Sequence, residues 1–224
     1  MKDQWVIPPD GNAAFVAAME EVLEVYHRPH DPACPLVCLD ETSKQLIKET
    51  RVPIPARPGR PARTDYEYER NGTANIFMLF APLDGWRHVA VTDRHAAVDY
   101  AHLLKEVADR WFPDAAKIAL VQDNLSTHKP ASLYEAFPPA EARRLVERFE
   151  WHYTPKHGSW LNMAETELSV LSSQCLDRRI STRQMQIDEV TAWEADRNKH
   201  HAKADWQFTT ADARVKLKRL YPSL

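Results

Sequence analysis

The sequence predicts an α/β domain built on a mixed sheet with helices on its faces. Three observations predict it. Two short, wholly apolar, β-prone runs, residues 36–39 and 118–121, suit strands buried on both faces. Residues 75–81 and 86–92 read as a hairpin joined by Pro82-Leu83-Asp84-Gly85. Amphipathic stretches of helical period alternate with these runs along the rest of the chain.

Taken in order, residues 12–26 place Phe15, Val16, Met19, Val22, Leu23 and Tyr26 on one helical face, after a stop and cap at 8–12. A turn-rich link at 29–35 leads to the strand at 36–39, which is expected to end at Asp40 and Glu41. From 44 to 75 the pattern dissolves. Residues 51–63 hold four arginines, several prolines and no acid, which predicts an extended basic arm over 43–74. The hairpin follows, then a helix over 96–111, the strand at 118–121, a helical stretch around 131–148 and a strand at 149–153. A loop at 154–159 precedes a helix from about 160 to 175, and further helices cover 182–200 and 210–220. Met19, Trp86 and Trp111 read as core residues. The expected organisation is an N-terminal helix and linker (1–35), the sheet domain (36–180) and a helical C-terminal extension (181–224).

Length and composition set bounds. A chain of 224 residues, 44% hydrophobic and 27% charged, suits one domain with appendages. With 5 glycines and 16 prolines, a Gly-rich nucleotide loop is not expected, and no small-molecule cofactor is expected either. The longest apolar run, 76–83, is far short of the roughly 18 residues that cross a bilayer. The first ten residues lack the apolar stretch of a secretory leader. Cys34, Cys38 and Cys175 are an odd set without a second Cys/His pair nearby, so reduced thiols in a cytoplasm are expected rather than a disulfide framework or zinc.

The chemistry gathers at strand ends. Two apolar strands each lead into a carboxylate, Asp40 and Asp123, and in open α/β sheets functional groups collect at the carboxyl ends of strands. Converging carboxylates repel unless cations lie between them, and oxygen-only ligands suit Mg²⁺ or Mn²⁺. Strand-end aspartates also serve as caps for the next turn, and pattern alone leaves both readings open.

Three ordered blocks carry a resemblance: Val37-Cys38-Leu39-Asp40-Glu41, then 121–129 with Asp123, Asn124, His128 and Lys129, then 153–165 with Lys156, His157, Asn162 and Glu165. Together they resemble the catalytic domain of DDE transposases from bacterial insertion sequences related to the mariner superfamily. The tail at 206–222 is similar to that family's C-terminus. The resemblance implies an RNase H-like fold: a mixed five-stranded sheet flanked by helices, with a Pro/Arg-rich insertion after the first strand. It also implies that Asp40, Asp123 and Glu165 are the metal-binding catalytic acids, with Glu165 in the family's Asn-x-x-Glu pattern starting at Asn162. Two Mg²⁺ or Mn²⁺ ions, DNA as substrate and partner, and a homodimer engaged through the arm follow from the same resemblance. So does action at the bacterial nucleoid.

The third acid is contested by Glu167. The stripe Leu161, Ala164, Leu168, Leu171 and Cys175 marks the buried side of that helix, and both glutamates flank it at comparable angles. Only the match of Asn162 and Glu165 favours Glu165. Strand alternation turns Glu41 and Asn124 away from their neighbouring aspartates, toward a supporting or surface role. His128 is open between ordering a phosphate or water and serving as a cap or core residue. Lys156 and His157 are candidate phosphate contacts, with a solvated loop as the alternative. Arg51, Arg57, Arg60 and Arg63 are candidate DNA contacts on the arm. The remaining histidines show no metal-ligand spacing.

Family members carry N-terminal helix-turn-helix units, whereas only 39 residues precede Asp40 here, too few for such a module. A split reading frame, a truncated copy and a catalytic fragment all fit. Three functional classes stand beside one another: a metal-dependent transposase catalytic domain, an inactive remnant that binds DNA or dimerises, and an RNase H-like nuclease with another substrate. The net charge of −3 averages an acidic scaffold with basic stretches at 51–63 and 197–219, the latter holding seven Lys/Arg against Asp205 and Asp212. Phosphate attraction depends on such patches more than on the sum.

Overall fold

In the computed structural model, which describes residues 10–222, Asn12 caps the first helix, α1 (Ala13–Tyr26), by accepting from Phe15 N at 3.0 Å. The sheet follows as β1 (Leu36–Glu49), β2 (Tyr68–Ala81) and β3 (Trp86–Thr92), then β4 (Ile118–Gln122) and β5 (Phe149–Tyr153). Its five strands lie in the order β3-β2-β1-β4-β5. The β1–β2 and β2–β3 pairs are antiparallel, while β1–β4 and β4–β5 are parallel, giving the mixed sheet expected.

Alternation along the central strands feeds two cores. Cys38, Ile76, Met78, Phe80 and Val121 face one side, together with residues of α1 and α5 (Met163–Leu171). Val37, Leu39, Phe77, Leu79 and Leu120 face the other, against α2 (Ala97–Glu106) and α4 (Pro139–Arg148). These side chains are almost fully removed from water, worth about 1.5–3 kcal/mol for each large aliphatic or aromatic group.

Three sequence expectations change. First, β1 does not end at Asp40: it runs on to Glu49, paired with β2 as far as Glu49↔Tyr68, with a bulge between Gln45 and Ile47. The region that looked patternless therefore starts and ends in a two-stranded ribbon. Its β2 half is exposed over 68–73, and its β1 half buries Leu46 alone beyond Leu39, so no apolar period marks it. Only residues 50–67 lie outside the strands, closed by the bridges Ile54↔Arg63 and Arg57↔Arg60. The ribbon root is tied to the segment before α6 (Arg183–Lys199): Ile47 N donates to Ile180 O at 2.8 Å, and Arg179 pairs with Glu49 at 2.6 Å.

Second, the stretch 131–148 is two helices, α3 (Ala131–Ala136) and α4, because Pro138 caps α4 and stops α3 from continuing. Third, the helix expected over 160–175 is a 3₁₀ turn (Ser159–Leu161), then α5, then a π turn (Ser172–Leu176).

The edge strand β3 is covered by α6. Asn198 accepts from Arg87 N at 2.9 Å and donates to Arg87 O at 2.8 Å, and Glu194 accepts from Val89 N at 2.8 Å. These bonds satisfy backbone groups that an open sheet edge leaves unpaired. A short α7 (Thr210–Lys216), opened by a Thr209–Asp212 capping box, is followed by a 3₁₀ turn (Lys218–Leu220). Among the described residues no helix is long and apolar enough to cross a membrane.

Candidate active site

The parallel β1–β4 pairing ends at Cys38↔Val121. Continuing that register by two residues sets Asp40 level with Asp123, on the carboxyl side of the sheet where β4 gives way to loop. Helix α5 crosses this corner with Glu165 in its first turn. Asp40, Asp123 and Glu165 line one open cavity of about 340 Å³, with Glu41, Ser159, Asn162 and Ser169 also on its walls.

Each acid is held differently. Asp40 is the most enclosed: its Oδ1 accepts from Glu41 N at 2.8 Å and its Oδ2 from Asn162 Nδ2 at 3.2 Å. Asn162 is itself buried. It also donates to Leu39 O at 2.9 Å and caps α5 by accepting from Ala164 N at 3.1 Å. One side chain thus ties the helix of the third acid to the strand of the first. Burial pushes the Asp40 carboxyl up to about 7; the Glu41 N–H opposes this, and the charges of Glu41, Asp123 and Glu165 add to it.

Asp123 accepts from Leu125 N at 3.0 Å and from His128 Nδ1 at 2.6 Å, both on Oδ1. Burial works to raise this carboxyl, but the His128 and Leu125 bonds outweigh it and hold it below the usual range. His128 is fully buried, with its ring 4.8 Å from that of Tyr100 and its Nε2 3.0 Å from Glu41 Oε2. This second contact is an ion pair without the alignment of a hydrogen bond. Burial disfavours charge on the imidazole, yet the Asp123 and Glu41 carboxylates raise it to about 9. With Nδ1 bonded to Asp123, Nε2 against Glu41 and the ring buried, His128 packs as a core residue, one of the two readings open from sequence.

The structure separates the two glutamates that periodicity left tied. Glu165 is exposed at the cavity, whereas Glu167 is buried and paired with Arg87 at 2.8 Å and Arg197 at 3.0 Å. The signal was an arginine on β3, far away in sequence and invisible to a helical wheel.

A second groove of about 380 Å³ shares Asp123 and Ser159 with the cavity, and is lined by Asn124, Thr154, Lys156 and His157. Asn124 donates to Thr154 O at 2.5 Å and so joins the ends of β4 and β5. His157 sits at φ 65, and a Cβ on the next residue, Gly158, would meet Pro155 Cγ at 2.5 Å. Lys156 and His157 are exposed at the rim. Arg51, Arg57, Arg60 and Arg63 line neither cavity; they are exposed on the ribbon tip, where Arg51 pairs with Asp65 at 3.1 Å.

The donor set is carboxylate oxygen throughout, which suits a hard divalent cation. The upward push on Asp40 from its acidic neighbours is a charge excess that a cation relieves, so the residues fit such an ion in kind. Among the described residues no three His, Cys, Asp or Glu side chains already stand close enough to hold one ion.

A five-stranded mixed sheet flanked by helices, with one acid within β1, one just past the end of the adjacent β4 and one on the crossing helix, defines an RNase H-like domain. A family model described as DDE superfamily endonuclease matches residues 35–188, and the chain belongs to that family. Among solved structures it is similar to the mariner Mos1 paired end complex with Mg, at 16% identity and a TM-score of 0.60 over 100% of this chain and 67% of that chain. The Mos1 Strand Transfer Complex matches at 14% identity and a TM-score of 0.59, over 90% of this chain and 60% of that one. The Mos1 mariner paired end complex with Mn matches at 15% identity and a TM-score of 0.57, over 90% and 61%. At these identities the likeness is one of fold. In this last case the chain spans 61% of the length of its match. No curated protein matches it.

Proposed function

We propose that this chain is a transposase catalytic domain that cleaves DNA strands and transfers the released ends, using two Mg²⁺ or Mn²⁺ ions. The observation that carries the reading is the register of β1 against β4, which brings Asp40 level with Asp123 beside a cavity that Glu165 closes from α5. Asp40 and Asp123 would hold one ion jointly, and Glu165 would complete the site of the second. Bound there, such ions activate an attacking oxygen and stabilise the leaving one during in-line displacement at phosphorus.

The protein's own groups supply position. Asn162 orients Asp40 and starts the helix that presents Glu165. Lys156 and His157 edge the groove that continues from the cavity, where a DNA strand's phosphates would run. The arginines at 51, 57, 60 and 63 and the basic stretch at 197–219 add contacts to the DNA backbone. The ribbon tip exposes Val52, Ile54 and Tyr66 beside those arginines, a surface suited to a second copy of the chain. The Mos1 neighbours are paired-end and strand-transfer complexes by name, which supports DNA as substrate and a paired assembly. On this reading the protein acts on bacterial DNA in the cytoplasm, at the nucleoid.

The test is cleavage of a duplex carrying the flanking inverted repeats, with Mg²⁺ or Mn²⁺ against a chelator. Metal-dependent nicking supports the reading. Binding without nicking points instead to an inactive DNA-binding remnant, and preference for RNA–DNA hybrids points to a nuclease of another kind.

A further inference from the structure

We propose that Glu41 is a positioning residue that, through His128, sets the Asp123 carboxylate for ion binding. The inference rests on the metal-dependent reading above and adds to it a role for a residue outside the three acids.

Backbone pairing between β1 and β4 stops at Cys38↔Val121, two residues short of the acids. Beyond that point nothing in the sheet ladder fixes the spacing of Asp40 and Asp123. The Asp123 side chain is 40% exposed, so packing alone does not hold its rotamer. Its Oδ1 is held instead by two donors, Leu125 N and His128 Nδ1. That leaves Oδ2 without a hydrogen bond among the described residues, as the oxygen available to an ion at the cavity wall.

His128 can fix Asp123 only if the imidazole is itself fixed. Tyr100 covers one face of the ring, and the Tyr100 hydroxyl donates to Gln122 Oε1 at 2.7 Å. Gln122 Nε2 in turn donates to His128 O at 3.1 Å. The far ring nitrogen meets Glu41 Oε2 at 3.0 Å, in a contact shut off from water. Glu41 is thus the β1 end of a side-chain bridge, Glu41–His128–Asp123, that continues the interrupted ladder.

The same dipeptide therefore acts on both acids. Asp40 faces the cavity, held by the Glu41 N–H, while the Glu41 carboxylate reaches Asp123 through His128. Alternation explains how: neighbouring strand residues leave on opposite sides, so one can be a ligand and the other its partner's anchor. Groups of this kind, once removed, typically cost about 10–100-fold in metal affinity or activity.

The experiment titrates the full chain with Mn²⁺ alone, by calorimetry, in wild type, D123N and E41Q, with a thermal melt of each. Wild type is expected to bind Mn²⁺, D123N to lose binding, and E41Q to bind about 10–100-fold more weakly while melting near wild type. In cleavage, raised Mn²⁺ is expected to restore the E41Q rate but not that of D123N, a split that a general loss of structure would not produce. Wild-type affinity in a folded E41Q overturns the positioning role and leaves the metal reading intact. Failure of wild type to bind Mn²⁺ overturns both. If E41Q does not fold, the wild-type ¹H–¹⁵N imidazole spectrum still decides: a slowly exchanging Hε2 of His128, shielded against Glu41, supports the bridge, and its absence overturns it.

Discussion

Glu167 Oε1 lies 2.8 Å from Arg87 Nε, in an ion pair buried on both sides, while Glu165 on the same helix stands exposed at the acidic cavity. Arg87 is fully buried and also donates to Ala202 O at 2.5 Å, so its side chain pins α5 to β3 and to the segment after α6. Removing one partner of a buried pair leaves an uncompensated charge. We therefore expect Glu167→Ala to lower unfolding stability by about 3–5 kcal/mol in chemical denaturation. Glu165→Gln is expected to leave the denaturation midpoint near wild type and to abolish cleavage.

That contrast marks what the sequence could and could not carry. The apolar runs at 36–39 and 118–121 and the acids that follow them were legible because burial on both faces writes itself as uninterrupted Leu, Val and Ile. The ordered motif blocks, not periodicity, pointed to Glu165, since both glutamates flank the buried stripe equally. What separates them is Arg87 on a distant strand, a tertiary fact. The ribbon beyond Asp40 was illegible for a related reason: its β2 half is exposed over 68–73 and its β1 half buries Leu46 alone, which leaves no alternation to read. The Glu41–His128 contact was hidden because each residue taken alone looks like a cap or a surface group.

The ribbon tip offers a separable test of DNA affinity. Arg57, Arg60 and Arg63 are exposed, so replacing all three by serine is expected to leave the melting temperature unchanged. Binding to duplex DNA, followed by fluorescence anisotropy across a salt series, is expected to weaken. The log–log salt slope should fall by about 0.9 for each DNA phosphate that the variant no longer neutralises.

Tyr26 ties α1 to the turn that launches α5. Its hydroxyl donates to Leu161 O at 2.5 Å and accepts from Met163 N at 3.3 Å, flanking Asn162. Tyr26→Phe leaves both backbone groups buried and unpaired, at a cost of about 1–3 kcal/mol in urea unfolding.

The α2–α4 contact supplies an acid-sensitive element. Glu141 sits between Arg144 and Lys105, whose bonds hold its carboxyl down to about 2 from an ordinary 4.5. A depressed folded-state value means stability that is fully present above 4.5 and is lost as pH falls toward 2. Glu141→Gln is expected to flatten the fall in melting temperature across that window. The loss near neutral pH should be about 1 kcal/mol or less, since the group is at the surface.

The central claim is that Asp40, Asp123 and Glu165 act as one metal-dependent site on DNA. Its most direct test is nicking of an inverted-repeat duplex by wild type and by Asp123→Asn, each with Mg²⁺ and with chelator, after melts show both proteins folded. The account predicts nicking by wild type with Mg²⁺ and none in the other three reactions. Cleavage that persists in Asp123→Asn, or in chelator, would contradict it.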